Sequence, residues 1–281
     1  MKLGTLVRIE NLSETEAKFS ELKKYGFSSC QLVYKPEKYV PEDAETIKNA
    51  AEKYDIEISA QFTGYYDNDT VWDNYEGFRT SGLGIEPYRE SRLKYVKEAA
   101  SFARLLGITD IVIHGGFIPN NPFSDEYEIV LSAVTELCDY AENLGMNVLL
   151  ETGGEAAVAL LRLIVDSGKS NLFVNLDPAN MLMYGYANPV DALYTIGKYV
   201  RNIHGKDGMP PTDSRRLGEE KPVGRGRVDF EGLFRELKAL GYDRYVIIER
   251  EIRDGDHANG IMEAKRYFES ILTRIGYFIE A

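Results

Sequence analysis

The sequence predicts a single (β/α)8 barrel, the TIM-barrel architecture, over residues 1–281. Short apolar runs alternate with amphipathic helical segments at a spacing of roughly 30 to 35 residues, as in the repeating unit of such a barrel. The apolar runs are rich in Val, Ile and Leu with little polar alternation, which is typical of parallel strands buried on both faces. The length suits one barrel domain, and no linker rich in Pro or Ser interrupts the chain.

The first half of the chain supplies four strand-like runs. Ser13 and Glu16 have the spacing of a capping box, so they predict the start of the first helix, and Gly26 predicts its end. Pro41 is tolerated in the first turn of the second helix. In chain order, the predicted elements are strand Leu3–Ile9, a helix from Ser13 to Gly26, strand Phe27–Tyr34, helix Pro41–Tyr54, strand Ile56–Phe62, helix Pro87–Leu106 and strand Asp110–His114.

The second half continues the same alternation. A doubly wound open sheet is the competing fold, but the segment after the first strand, Glu10–Leu12, lacks the glycine-rich turn that binds phosphate in that fold. The predicted elements are helix Asp125–Leu144, strand Met146–Glu151, helix Glu155–Asp166, strand Leu172–Asp177, helix Pro189–Lys198, strand Val200–His204, helix Phe230–Leu240, strand Arg244–Glu249 and helix Asn259–Ile275.

The composition argues against nucleic-acid binding and against a membrane location. A net charge of −12 and a pI near 4.9 oppose the approach of phosphate backbones. The N-terminal segment has no long apolar stretch, and no apolar run is long enough to span a bilayer, so we expect a cytoplasmic protein. Cys30 and Cys138 share no metal-type spacing, and we expect two buried, reduced thiols.

Four predicted strands end in a residue type that can bind a metal ion. They are Glu151, Asp177, His204 and Glu249, and His114 ends a fifth strand. In a barrel the carboxyl ends of all strands open on one face, where active sites lie. Each residue alone has an ordinary explanation, such as capping a helix, facing water or satisfying a core contact. Together they predict a divalent-metal site on that face.

The ligand types limit the metal and suggest the chemistry. Three carboxylates and one imidazole suit Mn²⁺, and also Mg²⁺, Co²⁺ or Zn²⁺. A metal that holds two adjacent substrate oxygens acidifies the carbon-bound proton between them and stabilises the enediolate. Glu151 and Glu249 would flank that carbon, one removing the proton and the other returning it. Return to the opposite face of the carbon is epimerisation, and return to the neighbouring carbon is isomerisation.

Five segments resemble, in order, recurring segments of a known family. They read LLETGG, NLDPAN, NIHGKDG, GRGRVDFEGL and VIIERE. The chain resembles the xylose-isomerase-like TIM-barrel family, also called the sugar phosphate isomerase/epimerase group, over nearly its whole length. The resemblance implies Glu151, Asp177, His204 and Glu249 as metal ligands, with the two Glu residues as the acid/base pair and a small carbohydrate as substrate.

The chain departs from the family's ketose 3-epimerases at two substrate-binding positions. Those enzymes carry a His three residues after the ligand Asp, where this chain has Asn180, and an Arg six residues after the ligand His, where it has Pro210. Both departures leave the metal ligands untouched but put that particular activity in doubt. Neither the substrate, phosphorylated or free, nor the oligomeric state follows from the sequence, although barrels of this kind often form homo-oligomers.

Several polar residues near the strand ends are candidates for substrate contact. Lys206 and Arg225 can bind hydroxyl, carboxylate or phosphate groups, or can pair with acids on the surface. His114 and Asn180 can bind a hydroxyl, or can fix the local loop and turn. Glu155 is read as a first-turn acid of its helix rather than as a catalytic group. The full set of candidate substrate-binding residues is His114, Asn180, Lys206 and Arg225, with Arg227 a weaker candidate.

The long connection over residues 64–83 is rich in aromatic residues and has no clear period. It contains Tyr65, Tyr66, Trp72, Tyr75 and Phe78. Long loops of this kind often act as lids or binding loops, and a packed surface loop or a subunit contact is equally compatible. His257 lies beyond the last strand, where it either lines the mouth of the barrel or starts the last helix.

Three further functions compete with the isomerase or epimerase. A lyase would use the same metal and Glu pair to expel a hydroxyl, as the family's inosose and dehydroshikimate dehydratases do. A DNA-repair endonuclease of the same barrel family needs several metals and many histidines, whereas this chain has three histidines and an acidic charge. A non-catalytic sugar-binding barrel would be indicated by loss of a ligand or catalytic Glu, and none is lost.

Overall fold

A computed structural model describes residues 1–35, 37–64 and 69–280. Eight parallel strands close into a barrel, which confirms the predicted (β/α)8 fold. The eight barrel strands are β1 (Lys2–Val7), β2 (Ser29–Tyr34), β3 (Glu57–Thr63), β4 (Asp110–His114), β5 (Asn147–Glu151), β6 (Leu172–Leu176), β7 (Val200–Gly205) and β10 (Tyr245–Ile248). Two short antiparallel strands, β8 (Asp207–Gly208) and β9 (Glu220–Lys221), pair outside the barrel.

Helices separate the barrel strands along the chain. Several carry a terminal signal, such as the Ser124 side chain that accepts a hydrogen bond from the N–H of Tyr127. The helices are α1 (Thr15–Lys24), α2 (Asp43–Lys53), α3 (Gly77–Thr80), α4 (Arg89–Leu105), α5 (Asp125–Asn143), α6 (Ala157–Ser167), α7 (Pro178–Tyr184), α8 (Pro189–Ile196), α9 (Phe230–Ala239) and α10 (His257–Ile275), with 3-10 turns at Leu12–Glu14 and Gly197–Tyr199.

The order of strands around the barrel is β1, β10, β7, β6, β5, β4, β3, β2. Because all eight strands are parallel, residues that end or follow a strand lie at the same rim, and the helices return the chain to the opposite rim. The middle of the barrel is filled by a small apolar cluster of Val33, Ala60, Phe62, Val112 and Leu149.

The opposite rim is closed by a charged network. The buried Asp110 carboxylate accepts hydrogen bonds from Arg201 at 3.1 and 3.2 Å, from Asn147 at 2.7 Å and from Arg244 at 3.4 Å. The guanidinium of Arg201 also stacks 4.7 Å from the centre of the Phe173 ring. The charged residues at this rim are therefore occupied with one another, and the candidate functional side chains lie at the carboxyl-terminal rim.

Two predictions about helix starts are wrong. The chain before α1 forms a 3-10 turn, and the N-cap residue of α1 is Glu14 without a side-chain cap bond, so Ser13 and Glu16 form no capping box at this start. Glu155 is not in a first helical turn, because α6 begins at Ala157 and Glu155 is buried ahead of it. His257, by contrast, starts α10 as predicted.

The two cysteines follow the sequence-based expectation. Cys30 and Cys138 are both buried and form no disulfide, and burial raises the pKa of each thiol. Among the residues that the structure describes, no helix combines the length and the apolar character needed to cross a membrane.

Candidate metal centre

Four side chains from neighbouring strands converge at the carboxyl-terminal rim. Glu151 ends β5, Asp177 follows β6, His204 lies in β7 and Glu249 follows β10, and these four strands are adjacent in the barrel. Each residue contributes one ligand-type atom, and these atoms lie within 4.8 Å of one another. All four side chains are buried. The structure thus brings together the residues that the sequence singles out.

The two carboxylate oxygens of Asp177 have different surroundings. Its Oδ1 accepts a hydrogen bond from the backbone N–H of Asn180 at 2.9 Å and so caps the start of α7. Its Oδ2 has no hydrogen-bond partner among the described residues, although it is fully buried. A buried carboxylate oxygen without a donor is costly unless a cation or water completes it.

Thr152 holds the ends of β5 and β6 in place, and the sequence reasoning missed it. Its hydroxyl donates to the backbone carbonyl of Asp177 at 2.9 Å and accepts from the Asp177 N–H at 2.8 Å. Because Thr152 directly follows Glu151, this exchange fixes the spacing between the two carboxylates. Its only sequence signal is a small hydroxyl residue next to a candidate ligand.

The imidazole of His204 is oriented by Gln31, a buried residue of β2 that the sequence reasoning also missed. His204 Nδ1 lies 2.7 Å from a Glu151 oxygen and 3.1 Å from a Glu249 oxygen, while Nε2 lies 2.9 Å from Gln31 Oε1. An amide oxygen only accepts, so Nε2 carries the proton toward Gln31. In the neutral ring this leaves the Nδ1 lone pair facing the carboxylates, as a metal ligand requires.

The buried charges shift one another's pKa values strongly. Burial alone would lower the pKa of His204, but Glu249 and Glu151 outweigh burial and hold it well above its ordinary value. Burial raises the pKa of Asp177 to about 6, against the opposing positive charge of Lys206. For Glu249 the cost of burial is outweighed by Lys206 and His204, which hold its pKa well below the usual range. The centre therefore concentrates negative charge that attracts cations.

The donor set fits a divalent cation. Three carboxylates and one imidazole nitrogen offer mainly hard oxygen ligands, which Mn²⁺, Mg²⁺ and Co²⁺ accept and Zn²⁺ tolerates. The unpartnered Asp177 Oδ2 and the inward-facing Nδ1 of His204 point to the same place. These residues could hold a metal ion.

Lys206 lies beside the centre and is itself buried. Its Nζ is 2.6 Å from Glu251, 3.4 Å from Glu249 and 3.8 Å from Asp177. Burial would lower the pKa of Lys206, but Glu249, Asp177 and Glu251 raise it well above its ordinary value. The ammonium group is therefore held charged at the edge of the centre. Its nearest partner, Glu251, was not singled out from the sequence.

A cavity of about 280 Å³ opens from the centre. This volume lies near the lower end of small-molecule sites, which run from about 300 to 1,000 Å³. Of the predicted substrate-binding residues, His114, Asn180 and Lys206 line it. The full lining is Arg8, Phe62, Gly64, Trp72, His114, Glu151, Asn180, Met183, Tyr184, Lys206, Leu217, Glu249 and Glu251.

The structure does not bring Arg225 to this cavity. Asp207 accepts hydrogen bonds from the backbone N–H groups of Gly224, Gly226 and Val228, which pins the loop by its main chain. The side chains of Arg225 and Arg227 are exposed and do not line the cavity. Asp207, rather than an arginine, is thus the residue that this loop depends on.

His114 forms one wall of the cavity. It stands opposite Glu151 in the pairing of β4 with β5, and its Nε2 lies 3.1 Å from a Glu151 oxygen. Its ring packs edge-on against Phe62 at 5.4 Å and lies 4.6 Å from Trp72. His114 is therefore placed to orient Glu151 and to meet a bound molecule.

Residues 69–83 of the aromatic connection lie over part of the rim. Tyr65 and Tyr66 lie outside the described residues. Asp73 caps the turn before α3 through three backbone N–H groups, and the Asn74 N–H donates to the Arg215 carbonyl at 3.2 Å. The ring of Tyr75 also lies 4.5 Å from the Arg215 guanidinium carbon. The connection is thus tied across the rim to the 209–219 loop, with Trp72 lining the cavity.

Comparison with known proteins identifies a family whose sequence profile matches most of this chain. The sequence profile of a family described as xylose isomerase-like TIM barrel matches residues 19–271. The crystal structure of a xylose isomerase domain protein from Planctomyces limnophilus is 30% identical, covers 98% of both chains and superposes with a TM-score of 0.88.

Two more distant relatives carry named activities. A 3-keto-D-glucoside 4-epimerase from E. coli is 20% identical, covers 96% of this chain and 99% of its own, and superposes with a TM-score of 0.70. An inosose dehydratase from Clostridium botulinum is 23% identical and covers 84% of this chain and 82% of its own length. At these identities the 4-epimerase shares the fold, and the relatives include both epimerases and dehydratases.

Proposed function

Since the chain belongs to the xylose isomerase-like TIM barrel family, we propose that it is a divalent-metal-dependent enzyme that isomerises or epimerises a small sugar or sugar derivative. The observation that carries this proposal is the convergence of Glu151, Asp177, His204 and Glu249 within 4.8 Å at the rim where barrel enzymes have their active sites. The adjoining cavity has the size and polarity for a small carbohydrate.

The four convergent residues would hold the cation, with Mn²⁺ the first candidate and Mg²⁺, Co²⁺ or Zn²⁺ as alternatives. Bound there, it supplies a Lewis acid that polarises adjacent substrate oxygens and so acidifies the carbon-bound proton between them. The protein's part is to fix the ligand orientation. Gln31 and Thr152 do so through the hydrogen bonds to His204 and Asp177.

Glu249 and Glu151 are assigned the proton transfers. They stand at the two ends of the four-strand arc, so a substrate between them has one carboxylate on either side. The lowered pKa of Glu249, due to Lys206 and His204, keeps it ionised and therefore able to accept a proton. Glu151, 3.1 Å from His114, returns a proton from the other side.

Three further residues are assigned to substrate binding. The Lys206 ammonium is a charged donor beside Glu249, the His114 ring lines the opposite wall, and the Asn180 side chain lines the floor next to Asp177. Phe62 and Trp72 add apolar faces that can pack against the C–H face of a sugar. Together they would position the reacting carbon and exclude water from it.

The test is a screen of ketoses, aldoses and their phosphates with added Mn²⁺, followed by a pair of variants. Glu249→Gln keeps the side-chain volume but cannot take up the proton, so turnover should fall by roughly a hundredfold or more. Glu219→Gln, on an exposed side chain that does not line the cavity, is the matched control. Absence of turnover across the panel, or normal turnover in Glu249→Gln, would reject the proposal.

A dehydratase is the second candidate, and Lys206 favours it. Glu249, once it has taken up the carbon-bound proton, can pass it to a departing hydroxyl, and the charged ammonium of Lys206, 3.4 Å from that carboxylate, can hold the same hydroxyl by a hydrogen bond. Relatives named inosose dehydratase align over more than four fifths of the chain. Incubation with inosose and with dehydroshikimate, monitored for enone or aromatic absorbance, distinguishes the lyase from the isomerase. A new absorbance without an isomeric sugar would establish the lyase.

A further inference from the structure

Arg8 stands at the rim without an acidic partner. It directly follows β1, the strand next to β10, and it lines the same cavity as Glu249, Lys206 and Glu251. Among the described residues Arg8 makes no hydrogen bond or ion pair, and the nearby Glu251 is engaged by Lys206 at 2.6 Å. An unpaired guanidinium beside a candidate substrate cavity is well placed to bind an anion.

Arg8 also lines a second cavity. It also measures about 280 Å³ and lies between α1 and α10, over the outer face of β1. Arg8, Lys18 from α1 and His257 from the first turn of α10 line it. Helices of the barrel run away from the carboxyl-terminal rim, so His257 and Lys18 lie toward the rim end of this groove. Two cationic side chains and one imidazole therefore face a cavity that shares Arg8 with the cavity of the candidate metal centre.

Positive charges in the surroundings of His257 act on its pKa. Burial lowers the pKa of His257, and three neighbouring positive charges, Arg250, Arg8 and Lys18, lower it further. Asp254 is the opposing acid, and it is already paired with Arg250. Glu21 also lines the second cavity, and its carboxylate raises the pKa of the Tyr25 hydroxyl just beyond the end of α1. Lys18 and His257, like Arg8, have no ion-pair partner among the described residues.

We propose that Arg8, Lys18 and His257 form an anion-binding subsite, and that the substrate is a sugar with an anionic terminal group, either a phosphate ester or a carboxylate. The sugar assignment rests on the proposed function, whereas the subsite itself does not. A chain of net charge −12 repels anions on average, so an anionic substrate needs a local cationic group to bind. Three donors from three elements match the several acceptor oxygens of such a group.

The first experiment tests the subsite without any turnover. Inorganic phosphate is titrated calorimetrically into EDTA-treated protein, so that binding to a metal cannot contribute. Wild type should show saturable binding, and Arg8→Gln and His257→Gln should each weaken it by roughly tenfold or more, as expected for a lost charge-assisted hydrogen bond. Arg253→Gln is the matched control, because Arg253 is an exposed arginine of the same rim that lines neither cavity.

The second experiment identifies the anion. D-fructose, D-fructose 6-phosphate and D-fructuronate are each titrated into protein loaded with Mn²⁺. The phosphate ester, the carboxylate or both should bind roughly ten- to a hundredfold tighter than the free sugar, and Arg8→Gln should remove that preference while Arg253→Gln keeps it. The melting temperature of each variant controls for misfolding.

The outcomes separate the two proposals. Absent phosphate binding in wild type, or equal losses in Arg8→Gln and Arg253→Gln, would overturn the subsite. Equal affinity for all three sugars would overturn the anionic-sugar assignment. Phosphate binding that depends on Arg8, together with an anionic preference but no turnover, would uphold the inference and reject the proposed function instead.

Discussion

Removing the acceptor on Gln31 should weaken metal binding without unfolding the barrel. In Gln31→Leu the Nε2–H of His204 loses its partner at 2.9 Å, and both side chains are fully buried, so water cannot readily replace it. An orphaned buried donor costs about 1 to 3 kcal/mol. Because His204 can then rotate or shift its proton to Nδ1, we expect the Kd for Mn²⁺ to rise roughly ten- to a hundredfold, the range found for such supporting bonds.

The chain offers a matched control in Gln61 of β3. It is equally buried, but its amide donates to the Ala99 carbonyl of α4 at 2.7 Å, on the outer side of the barrel. Gln61→Leu should lower the free energy of unfolding by about 1 to 3 kcal/mol and leave the Mn²⁺ affinity unchanged. Titration calorimetry with Mn²⁺ and urea unfolding without metal measure the two effects. An unchanged Kd in Gln31→Leu, or equal losses of affinity in both variants, would refute the reasoning.

Four further expectations follow from the same geometry. EDTA should abolish turnover, and added Mn²⁺ should restore it and raise the melting temperature. Mn²⁺ at about a hundred times its Kd should raise the free energy of unfolding by about 2.7 kcal/mol. Full activity in metal-free protein would contradict a metal role. Lys206→Met should lower kcat more than it lowers Mn²⁺ affinity, because it removes a charge beside Glu249 but no ligand; steady-state kinetics and calorimetry compare the two. Burial raises the pKa of Glu155 to about 8 from its ordinary 4.5, so the folded state holds this proton more tightly and the stability that Glu155 contributes falls as the pH rises between those values. The free energy of unfolding of Glu155→Gln should therefore increase relative to that of wild type on going from low to high pH, as measured by urea unfolding with EDTA present. A difference that does not change with pH would contradict this expectation. Asp110→Asn should destabilise the protein by about 1 to 3 kcal/mol while the Mn²⁺ affinity stays the same, because the Asp110 hydrogen bonds to Arg201 and Asn147 lie at the rim opposite the candidate metal centre. A change in metal affinity would show that the two rims are coupled.

The barrel and the convergence of the four candidate ligands can be predicted from the sequence because their signals are local. Each apolar run that stops on a Glu, Asp or His predicts both a strand and a candidate ligand at its carboxyl end. The barrel topology then brings those ends together. Glu151 and His204, 53 residues apart, were expected to be neighbours on this ground alone, and their side chains lie 2.7 Å apart.

The parts that the sequence did not reveal depend on contacts between distant residues. Gln31 reads as an interruption of an apolar strand, and its partner lies 173 positions away. Arg225 carries a charge in a loop that resembles family segments, but Asp207 anchors that loop by its backbone and leaves the side chain outside. Glu155 was given to a helix that begins two residues later, and its burial depends on tertiary packing that no local pattern encodes.

The order of strands around the barrel divides the site between two half-barrels. The arc β5, β6, β7 and β10 carries all four candidate ligands, whereas β1 to β4 and the segments that follow them carry Arg8, Phe62, Trp72 and His114. Substitutions at these four wall positions can therefore reshape the cavity while the four candidate ligands, and the Gln31 that supports His204, stay in place. Such a barrel can change the shape of its substrate cavity through residues that hold no ligand in position.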